Sequence, residues 1–144
     1  MKKWKFTLEP VREHRMNLEE QAATKLAEEL KTLAAASEEV RRVREQALLL
    51  ATRCAQESQV DSKTLQQWCE FHQLMQERLQ RALAREKQAG AACETARARW
   101  MQARMDKEAV EKIRETHLRA HAAACLAQEQ QVLDEFRNDI KEAA

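Results

Sequence analysis

His117, His121 and Cys125 stand four residues apart. On a helix they would share one face, a spacing that can present ligands to a divalent metal. The run lacks the glutamate of a His-Glu-x-x-His site, and three ligands from one straight helix rarely close a tetrahedral shell. Cys69 and His72 form a weaker pair of the same kind. No metal and no cofactor is therefore expected. Phosphate and nucleophilic chemistry fare no better, because there is no Gly-x-x-x-x-Gly-Lys loop and no serine or cysteine in a strained turn. No catalytic residue is assigned, and the chain is not expected to be an enzyme.

The elements that must carry these side chains follow from what is missing. The 144 residues include one proline, one glycine and no tyrosine, where ordinary domains hold roughly 7% Gly and 5% Pro. Ala, Glu, Gln, Lys, Arg and Leu, the strong helix formers, dominate. The expected fold class is all-α: two long helices in an antiparallel coiled-coil hairpin, the second much longer than the first. Residues 1–144 read as a single such unit, with helix one at about 9–56, a turn at about 57–61 and helix two at about 62–141. Two helices of this kind enclose little volume for chemistry.

Charge and cysteine usage bound the partner class. The 25 basic and 24 acidic residues are interspersed and give a net charge of +1. A nucleic-acid binder shows a basic stripe or a high pI, so protein is the expected partner and nucleic acid is not. No segment approaches the ~20 apolar residues of a membrane span, and the basic start has no apolar stretch behind it. Cys54, Cys69, Cys93 and Cys125 lack paired spacing and read as reduced thiols of a cytosolic protein.

Helix one has Pro10 and Glu9 in its first turn, with Thr7 as a further cap. Its apolar seam runs through Leu8, Val11, Arg15, Leu18, Ala22, Leu26, Leu30, Leu33, Ala36, Val40, Val43, Ala47, Leu50 and Cys54, with Arg15 as the polar exception. An extra four-residue step near Ala22 to Leu30 reads as a stutter. Asp61 and Ser62 offer caps for a second helix. The second seam runs through Leu65, Trp68, His72, Met75, Leu79, Ala82, Glu86, Ala89, Cys93, Ala96, Trp100 and Ala103. It shifts near Lys107 and resumes at Val110, Ile113, His117, Ala120, Ala124 and Ala127. Gly90, mid-helix, reads as a place of close packing or slight bending.

At 1.5 Å per residue, the helices measure roughly 70 Å and 120 Å. Folding the hairpin at residue 59 sets Leu8 opposite the neighbourhood of Val110, so everything beyond Val110 is expected to lack a partner from its own chain. Ile113, Leu126, Leu133, Phe136 and Ile140 are apolar there, and an uncovered apolar stripe is an interaction surface. A second cluster gathers near the hairpin turn, where Leu49, Phe71 and Leu74 join Trp68 and Met75. Aromatic and Met enrichment favours protein contact.

Three segments carry a family resemblance. Phe6-Thr7-Leu8-Glu9-Pro10-Val11-Arg12-Glu13-His14-Arg15 resembles the opening of the flagellar export protein family FliJ. Ala109-Val110-Glu111-Lys112-Ile113-Arg114-Glu115 looks like that family's Ala-Leu-Glu-Lys-type segment. Glu129-Gln130-Gln131-Val132-Leu133-Asp134-Glu135 resembles its terminal pattern. Pro10 departs from the usual opening, and His117 and His121 stand where the family tends to have basic or aromatic residues.

The resemblance implies a stalk and chaperone-escort component of flagellar type III export, serving motility. It would be cytoplasmic, peripherally associated with the inner-membrane export apparatus and not itself inserted in the membrane. The end carrying both termini would enter the export ATPase hexamer (FliI-like), promoting its assembly and activity. Phe6, Leu8, Val110, Lys112, Ile113, Arg114, Leu133 and Phe136 would meet the ring. The hairpin end, with Leu49, Trp68, Phe71, Leu74 and Met75, would reach the export gate protein (FlhA-like) or export chaperones. The alternatives are an injectisome stalk of the YscO group and a homodimeric coiled-coil scaffold outside secretion.

Overall fold

The computed structural model describes residues 3–144. Its elements are α1 (Glu9–Gln56) and α2 (Ser62–Ala143), which pack against each other, with no strand among the described residues. Glu9 and Pro10 open α1, where a missing N–H costs nothing and a carboxylate meets the positive end of the helix. The Arg12 N–H donates to the Leu8 carbonyl at 2.9 Å, so Leu8, rather than Thr7, is the residue whose carbonyl begins the helical ladder. By their contacts the residues form two compact units: those up to Glu20 together with Met101–Ala144, and Gln21–Trp100.

In the unit Gln21–Trp100, the core is a thin apolar seam. Val40 and Val43 come from α1; Met75, Ala82, Ala89, Cys93 and Ala96 come from α2. Met75, Ala82, Ala89 and Ala96 repeat every seven residues, the period that keeps one helical face toward its neighbour. The Ser37 hydroxyl donates to Glu86 Oε1 at 3.2 Å, and Arg78 pairs with Glu39 at 3.9 Å. Partner numbers fall along α2 as they rise along α1, so the packing is antiparallel. Glu86, a polar residue on the apolar seam, is explained by its hydroxyl partner.

The seam departs from its expected course at Leu30, which is 52% exposed. Two successive four-residue steps from Ala22 rotate a side chain by about 80°, whereas a three-plus-four step drifts by only about 20°. Leu30 is therefore carried to the flank.

Gly90 also differs from its expected role. A Cβ built there meets nothing within 4 Å, and no glycine has a positive φ. Close packing does not require it. Gly90→Ala is expected to stabilise the protein by about 1 kcal/mol through helix propensity. Thermal melting should then show a midpoint roughly 3–6 °C higher; an unchanged or lower midpoint would point to a constraint on the glycine that the backbone does not show.

The start of α2 is capped by Asp61. Its Oδ1 accepts the Thr64 N–H at 2.8 Å, while its carbonyl accepts the Leu65 N–H at 3.1 Å. Hydrogen bonds from the Thr64 side chain, and then its amide, hold this carboxyl below its ordinary value of 3.8. A depressed carboxylate stabilises the fold above its unfolded pKa, and the contribution is lost as pH falls through the folded one. Asp61→Asn keeps the cap but cannot titrate. Wild type should therefore lose more thermal stability than Asp61→Asn between pH 5 and pH 2, and parallel losses would show the cap to be uncoupled from stability.

In the unit formed with Met101–Ala144, Val110 is buried from α2. Arg12 donates to Glu111 at 2.7 Å and Arg15 to Asp106 at 3.3 Å, and Lys107 lies 3.9 Å from Glu19. Glu111, then Glu9, raises the Arg12 pKa. Pairs this exposed add little stability, but they set the register. They also explain the two irregularities of the pattern, Arg15 on the seam and the shift near Lys107.

Candidate protein-interaction surfaces

The segment before α1 is the least expected part of the terminal unit. Residues 3–6 form neither helix nor strand and run as a strap against α2. In an extended stretch alternate side chains face opposite ways, and here Trp4 and Phe6 pack while Lys3 and Lys5 are exposed. The Trp4 and Phe6 rings stack with centroids 6.1 Å apart. Phe6 meets His117 edge-on at 5.8 Å, and Trp4 lies 6.4 Å from His121. The Arg114 guanidinium carbon sits 5.6 Å from the Trp4 ring centroid, a cation–π contact.

The strap corrects one expectation. The strap touches Arg114, His117 and His121 of α2, so the stretch of α2 without a contact from its own chain does not begin at Val110. It also gives the two histidines a packing role. His121 Nε2 lies 3.5 Å from Cys125 Sγ, and among the described residues no group of three or more His, Cys, Asp or Glu is arranged to hold a metal.

The residues singled out for the terminal surface divide accordingly. Phe6, 7% exposed, and Val110 are buried, which takes both off the outer surface and makes them its support. Leu8, Lys112, Ile113, Leu133 and Phe136 are exposed, and Arg114 is half-buried beneath Trp4. From Leu126 onward every residue of α2 is exposed. Leu133, Phe136 and Ile140 follow a three-four spacing, with Leu126 one heptad earlier. Leu133 is 62% and Phe136 66% exposed, so the tail carries a coiled-coil seam with nothing upon it. A shallow groove there is lined by Gln128, Glu129, Gln131, Val132, Leu133 and Glu135.

At the hairpin end of the other unit, Leu49, Phe71 and Leu74 are exposed, Trp68 is half-buried and Met75 is buried. Met75 therefore supports this patch from beneath. Leu49, Leu50 and Phe71 line a groove of about 470 Å³ with Gln46, Arg53 and Arg78. Leu48 and Leu65 are also exposed, Leu48 lining a separate groove with Val40, Arg44 and Glu86. Leu65, on the expected seam, lies in the first turn of α2.

Two antiparallel helices with a thin internal seam, one much longer than the other, define an all-helical coiled-coil protein. No helix among the described residues is long and apolar enough to cross a membrane. The chain belongs to the FliJ family: the family model described as Flagellar FliJ protein matches residues 4–139. Membership makes it a component of flagellar type III export, from a family that is cytoplasmic and non-enzymatic. No curated protein and no solved structure matches the chain.

Proposed function

We propose that this protein is the stalk of the flagellar export ATPase. Its terminal end enters the ATPase hexamer, promotes assembly and activity, and links the ring to the export gate. The observation that carries this reading is the uncovered seam of α2 at Leu126, Leu133, Phe136 and Ile140. A helix that leaves such a seam bare in water is built for a partner to cover it. Leu8, Ile113, Leu133 and Phe136 supply apolar contact in the ring; Lys112 and Arg114 meet acidic loops. The hairpin patch of Leu49, Trp68, Phe71 and Leu74, supported by Met75, meets the gate protein or an export chaperone. Its two arginines, Arg53 and Arg78, favour an acidic rim on that partner.

A single asymmetric stalk presents different faces to six equivalent subunits, and this biases the ring and couples hydrolysis to delivery. Native mass spectrometry of the reconstituted complex tests the stoichiometry. One copy per six ATPase subunits is expected, while six copies per ring would exclude an axial stalk.

A further inference from the structure

We propose that the strap, residues 3–6, is an exchangeable cover. It closes over Arg114, His117 and His121 in the free protein. A protein segment that offers a carboxylate to Arg114 and a large apolar side chain to the place of Phe6 displaces it.

Three observations carry the proposal. First, the strap is lightly tied: among the described residues its backbone makes one hydrogen bond outside the helices, from the Glu9 N–H to the Phe6 carbonyl at 3.1 Å. The rest of its hold is the two aromatic rings. Second, closing it leaves a donor stranded. Arg114 Nε is buried with no hydrogen-bond partner, and an unsatisfied buried donor opposes the state that buries it. Third, the chain's own nearby carboxylates are engaged, Glu111 by Arg12 at 2.7 Å and Glu115 by Arg119. Neither is left for Arg114, and a carboxylate from outside the chain fills that place.

The occupant's chemistry follows from what the strap leaves behind: a carboxylate at the Arg114 level forms the charge-assisted fork that guanidinium favours, and a large apolar side chain refills the place of Phe6, which is buried when the strap is closed. The identity of this occupant as an export ATPase segment rests on the ring-contact reading; the latch does not.

Two measurements test this separately. In the free protein, NMR relaxation dispersion at the Trp4 indole should detect a minor open state. Arg114→Met removes the stranded donor and, with it, the weaker cation–π contact to Trp4, while keeping an unbranched side chain against the ring; the donor outweighs the contact, so the open population should fall by about threefold. Absence of a minor state, or a population unchanged by Arg114→Met, overturns the latch. With the ATPase hexamer, a strap that competes lowers apparent affinity by the open fraction, so Trp4→Ala with Phe6→Ala should bind about tenfold more tightly at unchanged helicity. Binding that is equal or weaker overturns the exchange. If the parent protein does not bind the hexamer at all, the ring-contact reading fails, while the dispersion measurement still decides the latch.

Discussion

Leu133→Ala combined with Phe136→Ala is expected to weaken binding to the export ATPase by about 100-fold, in line with the 2–4 kcal/mol carried by the few dominant residues of an interface. The same pair should leave thermal stability almost untouched. Both side chains are more than half exposed, and exposed substitutions usually stay within about 0.5 kcal/mol. Alanine also has the higher helix propensity, so α2 loses nothing locally. This separation is the diagnostic feature. If the double variant bound normally, the open seam would not be the ring contact. If it melted well below wild type, the tail would be packed in solution, as it would be in a homodimer. Isothermal titration and a circular dichroism melt on the same preparation distinguish these outcomes.

Val43→Asp should have the opposite profile, with a large loss of stability. Val43 is 1% exposed and lies in a seam whose other members are mostly small. Burying a carboxylate at so closed a position costs on the order of 4 kcal/mol. Marginal domains hold only about 5–15 kcal/mol in all, so the melting midpoint should fall by at least ~10 °C. Val43→Ala should fall between the two, by roughly 1–2 kcal/mol. A Val43→Asp protein that melts like wild type would mean that the two helices of this unit do not pack through Val43 in solution.

The architecture was legible in the residues because coiled-coil packing is a matter of period. Val40, Val43, Met75, Ala82, Ala89, Cys93, Ala96 and Val110 all lie on the seams that the three-four spacing picks out, and all are buried. Polar interruptions were less legible, since Arg15 and Glu86 depend on partners, Asp106 and Ser37, far away in sequence. The strap was not read at all. Four residues outside a helix have no period to detect, and Trp4 and Phe6 gave only a two-residue alternation within a basic start. Its consequence reached the site: Phe6 changed from a surface contact to a buried anchor, and the histidines from a remote ligand possibility to its packing partners. The family was visible in three short segments because they lie where α1 begins, where α1 runs out along α2, and on the bare tail.

The most direct measurement is ATP hydrolysis by the cognate export ATPase, assayed at increasing concentrations of this protein under conditions where the hexamer forms. A saturable rise, complete near one copy per hexamer and lost in the Leu133→Ala, Phe136→Ala protein, is the expected result. Hydrolysis that does not change with added wild-type protein would contradict the stalk function.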